Sequence, residues 1–71
     1  MQSEAHKTVE YKSRKSKSVY TVTGTPSRAY LAVSGEASTN QKVLKLVAEV
    51  RKNKTDFATA EWEARMLSNT Y

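Results

Sequence analysis

The residues best suited to chemistry in this chain are the cations of a short basic segment near the N-terminus. Residues 13–18 (SRKSKS) alternate Arg14, Lys15 and Lys17 with serines, and Lys12 lies just before them. Long cationic side chains beside small hydroxyl groups suit contact with a phosphodiester backbone. The same composition is typical of a solvated hairpin loop, and the sequence leaves both interpretations open.

Groups that could catalyse a reaction or bind a metal are sparse. His6 is the only histidine and there is no cysteine, so a serine nucleophile lacks a positioned base and zinc lacks ligands. Glu61 and Glu63 are two positions apart and diverge by about 200° on a helix, so they cannot flank one bond. Gly24 and Gly35 form no phosphate-loop motif. We therefore expect no enzyme, no metal and no cofactor.

Length and charge set the class of protein. The chain has 71 residues, which is room for one small domain over residues 1–71. The net charge is +5, and residues 1–34 carry six of the twelve Lys and Arg residues but two of the seven acids. A field of this sign attracts polyanions or acidic protein faces. No apolar run approaches the roughly 20 residues that span a bilayer, and the polar N-terminus has no secretory h-region. We expect a cytoplasmic protein with no membrane contact.

The N-terminal half alternates as strands do. After a flexible end at residues 1–6, the segments 7–12, 19–23 and 28–34 place apolar and β-branched side chains at every second position. Residues 24–27 (GTPS) supply turn chemistry. They predict an antiparallel hairpin with a loop of about four residues.

One face of this hairpin is a candidate stacking surface. If Leu31 faces the core, Arg28 and Tyr30 face outward. Depending on the register, Tyr11 or Tyr20 joins them. An exposed sheet with aromatic and arginine side chains can stack on nucleobases. Tyrosine is also an ordinary strand former, so its presence alone does not indicate binding.

The clearest helix covers residues 38–52 (STNQKVLKLVAEVRK). Ser38 followed by Gln41 fits a capping box at its start. Arg51 and Lys52 suit the negative end of the helix dipole, and with Lys54 they form a second basic cluster. At 100° per residue its apolar side chains form one stripe, made of Val43, Leu46, Val47 and Val50 and widened by Leu44.

Residues 56–68 (DFATAEWEARMLS) predict a second helix, with Thr55 as its cap and Asp56 in its first turn. A strand is the less favoured alternative, because alanines, Trp62 and Met66 also alternate. As a helix the segment has two apolar stripes: Phe57, Ala60, Ala64 and Leu67 in one, and Trp62 with Met66 in the other. We favour a buried Trp62; an exposed pair would instead be a protein contact.

Together these patterns predict an α+β fold, a two- or three-stranded antiparallel sheet packed against one long helix (39–52) with a second, C-terminal helix. The first functional hypothesis is a non-enzymatic nucleic-acid-binding module, for DNA or RNA, that contacts phosphates through its basic N-terminal half. Its predicted site residues are Lys12, Arg14, Lys15, Lys17 and Arg28 for phosphates and Tyr20 or Tyr30 for stacking.

The alternative hypothesis is a small, phage-type protein-binding regulator or inhibitor. It would dock on an acidic face of a larger nucleic-acid-processing enzyme, such as RNA polymerase or a nuclease. Trp62 and Met66 would be its anchor.

Overall fold

The structure is a computed structural model that describes residues 5–53 and 55–71. The strands β1 (Lys7–Lys12), β2 (Ser18–Thr25) and β3 (Arg28–Gly35) form one antiparallel sheet in the order β1-β2-β3. A 3₁₀ helix (Glu36–Thr39) leads into the helices α1 (Gln41–Lys52) and α2 (Phe57–Thr70). The predicted α+β class and three-stranded sheet are confirmed. The helix predicted to be the one long helix, α1, has only 12 residues, and the second helix, α2, is longer with 14.

The strand register decides which side chains enter the core. Tyr20 lies opposite Val33 and Val22 lies opposite Leu31. Directly opposed residues share a face of an antiparallel sheet, so this row forms the inner face, and Tyr11 on β1 joins it opposite Tyr20. Tyr20, Val22 and Leu31 are completely buried.

The turn between β2 and β3 is tighter than the sequence suggested. Thr25 pairs with Arg28, so the loop holds only Pro26 and Ser27. The predicted four-residue loop is wrong, because Gly24 and Thr25 remain in β2. Gly24 has a φ of 152°, and a side chain there would overlap the backbone of Arg28.

The start of α1 also differs from the prediction. The Asn40 side chain caps the helix, since its Oδ1 accepts from the N–H groups of Lys42 at 2.9 Å and Val43 at 3.4 Å. Ser38 belongs to the 3₁₀ helix and donates to the Gly35 carbonyl, so the capping box is wrong. Val43, Val47 and Val50 are buried as predicted, whereas Leu44 and Leu46 at the margins of the stripe are exposed.

The second helix is confirmed and the strand alternative is wrong. Asp56, not Thr55, is its cap, because Asp56 Oδ1 accepts from the N–H of Thr59 at 2.8 Å. The cap lowers the pKa of Asp56, chiefly through the hydrogen bonds from Thr59 to the ionised carboxylate. The stripe predicted to face the core is buried in full: Phe57, Ala60, Ala64 and Leu67.

Both helices pack on the inner face of the sheet, α1 over β3 and α2 over β2, β3 and β1. The start of α2 is fixed at the β2–β3 turn, where the Phe57 N–H donates to the Pro26 carbonyl at 3.1 Å. Its end reaches the β1–β2 loop (residues 13–17), where the Ser16 hydroxyl donates to the Tyr71 carbonyl. Helix α2 therefore runs beside β1 in the same direction. Within residues 5–53 and 55–71, no helix is long and apolar enough to cross a bilayer.

Candidate nucleic-acid interface

The β1–β2 loop presents its cations on a folded backbone. Ser13 Oγ accepts from the N–H groups of Lys15 at 3.1 Å and Ser16 at 3.2 Å. The Ser13 N–H in turn donates to the Ser18 carbonyl at 2.9 Å. Within this turn Arg14, together with Lys15, is exposed to solvent. Small side chains that bond to nearby backbone N–H groups fix such turns without a helix or strand.

The serines of the basic segment form hydrogen bonds within the fold. Ser18, predicted to be part of the loop, is the first residue of β2 and is only 3% exposed. Its Oγ accepts from the Ala37 N–H at 2.8 Å and lies 2.7 Å from Ser16 Oγ. The interpretation of residues 13–18 as a solvated loop is therefore wrong for Ser18, since alternation along β2 turns it inward.

Tyr20 cannot stack on a base, so this part of the predicted site is corrected. Its ring is completely buried on the inner face of the sheet, opposite Val33. Burial raises the pKa of Tyr20, and the neighbouring Tyr71 raises it further. The register with β3 places Tyr20 against the helices.

Tyr30 and Arg28 do lie on the outer face, away from the helices. Tyr30 is 49% exposed and is opposite Thr23, whose hydroxyl is 3.4 Å from that of Thr8. Arg28, however, is at the β2–β3 turn, whereas Lys12 is at the other end of the sheet, opposite Val19. About six residues of strand, or roughly 20 Å, separate the two cations. They do not form one cluster.

The second basic cluster is at the far end as well. Arg51 and Lys52 occupy the last turn of α1 and are exposed. Shortly after them, the Thr55 carbonyl accepts from the Ala29 N–H at 3.0 Å, which fixes this end of α1 beside the β2–β3 turn. The cluster therefore does not extend the basic β1–β2 loop. Lys54, its third predicted member, lies outside the described residues.

A groove runs between β1 and α2, and contacts along it join the two elements in sequence order. Lys7 places its ammonium 5.5 Å from the centre of the Phe57 ring. One turn of helix further, the Tyr11 hydroxyl donates to Glu61 Oε2 at 2.8 Å. We call this feature the β1–α2 groove. Near the start of both elements it opens into a largely apolar depression of about 450 Å³, beside His6, Lys7 and Phe57.

The opposite end of the β1–α2 groove is polar and basic. A depression of about 400 Å³ lies there, which we call the basic depression. Because β1 is an edge strand, Lys12 lines it from the sheet edge even though it alternates onto the outer face. One carboxylate, Glu10, also lines it, so positive charge is in excess. Its lining residues are Glu10, Tyr11, Lys12, Arg14, Arg65, Ser68 and Asn69.

Arg65 is the residue of this candidate site that the sequence did not reveal. It is exposed on α2, 51 positions after Arg14, yet both guanidinium-bearing residues line the basic depression. In the sequence, Arg65 stands out only as a cation four residues after Glu61, on the same helix face. Nothing local relates it to the β1–β2 loop, because the docking of α2 along β1 brings them together.

Two charged residues of the groove, Glu61 and Arg65, affect the pKa of Tyr11. The hydrogen bond to Glu61 raises the pKa of Tyr11, with smaller contributions from burial and from the Glu61 charge, while the positive charge of Arg65 lowers it. The phenol therefore stays protonated and keeps donating to Glu61 at neutral pH. Arg65 is close enough for its charge to be felt at this hydroxyl.

Trp62 and Met66 are exposed, so the interpretation that we favoured from the sequence is wrong. Trp62 is 57% exposed and Met66 is 46% exposed, one turn apart on the solvent side of α2. Ala60 and Ala64 are completely buried, and Trp62, two positions from each, lies about 160° away around the helix, on its outer side. A second, smaller depression of about 170 Å³ adjoins it, lined by Tyr11, Ala58, Glu61, Trp62 and Arg65.

The basic depression has the side chains to bind an anion, and the exposed indole of Trp62 lies beside it. Within the described ranges, no group of three or more His, Cys, Asp or Glu side chains is placed to hold a metal ion. Known proteins offer no guide to this surface, since no family model, no curated protein and no solved structure matches the chain.

Proposed function

We propose that the protein is a non-enzymatic nucleic-acid-binding module whose phosphate site is the basic depression of the β1–α2 groove. The observation that supports this most directly is that Arg65 of α2 lines one polar depression together with Lys12 and Arg14 of the basic N-terminal segment. Arginine suits this role because its planar guanidinium can donate two hydrogen bonds to one phosphate. The proposal includes the cytoplasmic location expected from the sequence.

Surface charge alone does not favour this depression, since the chain carries twelve Lys and Arg residues. Shape does. The β1–β2 loop is folded by Ser13, and α2 is joined to β1 by the Tyr11–Glu61 hydrogen bond. Because these supports hold the backbones of Arg14 and Arg65, a bound phosphate has less loop ordering to impose.

The test is fluorescence anisotropy of a labelled oligonucleotide against the protein at several salt concentrations. Two matched double variants each remove two exposed arginines and therefore have the same net charge. Arg14→Gln/Arg65→Gln alters the basic depression, and Arg28→Gln/Arg51→Gln alters the far end. Circular dichroism checks that all three proteins fold alike.

The first double variant should weaken binding about tenfold or more. It should also reduce the slope of log K against log salt by about 1.4 for a single strand, since each phosphate contact contributes about 0.7. The second should change the affinity less than about twofold. Equal weakening by both pairs would mean that only net charge matters, and no binding at low salt would exclude the function altogether.

The exposed Trp62 and Met66 favour a second candidate function, docking on a protein partner with an acidic face. Large exposed aromatic side chains often anchor such interfaces. This candidate predicts that Met66→Ala and Trp62→Ala disrupt complex formation equally. It also predicts that an oligonucleotide displaces the partner only where the partner's face covers Arg65.

A further inference from the structure

The indole of Trp62 and the basic depression belong to one continuous surface. The depression beside Trp62 and the basic depression share two lining residues, Tyr11 and Arg65. A ligand that follows the β1–α2 groove therefore meets the cations and the indole in succession. No gap of unrelated surface separates them.

Helix geometry sets the spacing between indole and cation. Arg65 follows Trp62 by three residues on α2, and residues three apart are neighbours on a helix surface, about 5–6 Å between their Cβ atoms. Two long side chains that start from Cβ atoms this close can contact the phosphate and the base of neighbouring nucleotide units. The presence of both favours a nucleotide chain over a simple anion.

The indole is accessible because Trp62 is 57% exposed and its neighbours on the helix are not bulky. Ala58, one turn before Trp62, has a small side chain and lines the same depression. Met66 lies one turn after Trp62 and is itself 46% exposed. A planar group can therefore lie against the ring between a methyl group and a flexible thioether.

We propose that the β1–α2 groove binds single-stranded nucleic acid, with a base stacked on Trp62 and adjoining phosphates held by Arg65 and Arg14. This rests on the phosphate site proposed above and adds the strand preference. Bases inside a duplex are already stacked on one another, so their faces are closed to the indole. Aromatic stacking platforms beside cationic grooves are a general means of binding single strands without regard to sequence.

The charge balance favours this occupant over an acidic protein face. Stacking on Trp62 needs a flat π-system, which every nucleobase supplies. The Glu61 and Glu10 carboxylates also line the two depressions. The Glu61 carboxylate beside Trp62 would repel an acidic protein face laid over the indole, whereas a nucleobase is uncharged.

The protein carries its own reporter for this proposal, because Trp62 is the only tryptophan. Intrinsic fluorescence of the unmodified protein is titrated with unlabelled (dT)12 and with a 12-base-pair duplex. We expect saturable quenching and a spectral shift with (dT)12 and little change with the duplex. This measurement needs no variant, so it does not depend on how any substitution folds.

Variants then separate stacking from general contact. Stacking of one base is worth enough that Trp62→Ala should weaken (dT)12 binding between about 5-fold and 150-fold. Trp62→Phe should keep part of the affinity, and duplex binding should be unchanged in both. Leu44→Ala is the matched control, an exposed apolar residue on α1 outside the β1–α2 groove, and should change (dT)12 affinity less than about threefold.

The outcomes distinguish this inference from the proposed function. Salt-dependent binding with unchanged Trp62 fluorescence, or equal affinity for single strand and duplex, would overturn the stacking inference and leave the phosphate site standing. No binding of either nucleic acid would overturn both. Loss of a co-purified protein partner in both Trp62→Ala and Met66→Ala, without quenching by (dT)12, would replace the nucleic acid with a protein as the occupant.

Discussion

The hydroxyl of Tyr11 donates a 2.8 Å hydrogen bond to Oε2 of Glu61, across 50 residues of sequence. It is a side-chain hydrogen bond between the edge strand β1 and helix α2. It lies between the depression beside Trp62 and the residues that begin the groove. It joins α2 to β1 beside the basic depression that Arg14 and Arg65 line.

Tyr11→Phe removes this hydrogen bond and keeps the ring. We expect the free energy of unfolding to fall by about 0.5–1.5 kcal/mol, the usual net value of such a bond at a half-buried position. Urea denaturation followed by circular dichroism measures it. Tyr30→Phe is the control, because Tyr30 is half exposed on the outer face, and its effect should stay within about 0.5 kcal/mol. Equal effects of the two substitutions would contradict a structural role for the Tyr11–Glu61 bond.

Alkaline pH should destabilise the fold through its tyrosines. The pKa values of Tyr11 and Tyr20 are raised above their ordinary value of 10.0, so the folded state holds these protons more tightly than the unfolded state. Their contribution to stability is complete below pH 10 and is lost as the pH rises through the folded pKa values. Denaturation between pH 8 and 11.5 checks this. The Tyr11→Phe/Tyr20→Phe double variant should show a shallower decline; an identical decline would assign it to other groups.

Tyr20→Phe should leave stability unchanged or raise it by up to about 1 kcal/mol. The Tyr20 hydroxyl is buried and makes no hydrogen bond to the described part of the chain, so its removal relieves desolvation without breaking a partner. Tyr20→Ala should instead lower stability by about 3–5 kcal/mol, since it leaves a cavity in the core. Thermal unfolding compares the two. Oligonucleotide affinity should be the same for Tyr20→Phe as for the natural chain; a drop would return Tyr20 to the binding site.

Asp56→Ala should lower the melting temperature at neutral pH, because the carboxylate caps α2 through the Thr59 N–H. Asp56→Asn should retain most of the stability, since its amide oxygen can accept the same bond. The pKa of Asp56 is lowered from 3.8, so its contribution is present above that pH and is lost as the pH falls through the folded pKa. The natural chain should therefore melt at a higher temperature than Asp56→Ala at pH 7, and this difference should shrink at pH 2.5. A constant difference would argue against a role for the charge.

Gly35→Ala should destabilise the protein by about 1–3 kcal/mol. Gly35 has a φ of 88°, which L side chains rarely adopt, and a Cβ there would overlap the Lys17 carbonyl. Ser34→Ala is the control at the neighbouring exposed position and should have little effect. Chemical denaturation of the pair measures the difference. A tolerated Gly35→Ala would show that the junction between β3 and the β1–β2 loop rearranges readily.

Much of the secondary structure could be predicted because its signals are local. Alternation marked the strands, and 3.6-residue periodicity marked the valine stripe of α1 and the Phe57 stripe of α2. The caps were harder. The cap of α1 is Asn40 rather than the predicted Ser38, and the cap of α2 is Asp56 rather than Thr55. Neighbouring polar residues compete for the same unpaired N–H groups, and small differences in backbone geometry select one of them.

The sequence by itself determined the α+β class, the order of strands and helices, and the basic character of the β1–β2 loop, because each depends on residues within one or two turns of chain. Only the tertiary structure decided which surface carries the candidate site. The pairing of Tyr20 with Val33 buried one predicted stacking residue, and the burial of the stripe that contains Ala60 and Ala64 left Trp62 exposed. Arg65 joined Arg14 because α2 runs along β1, and contacts between residues so distant in sequence depend on packing of the whole core rather than on any local pattern.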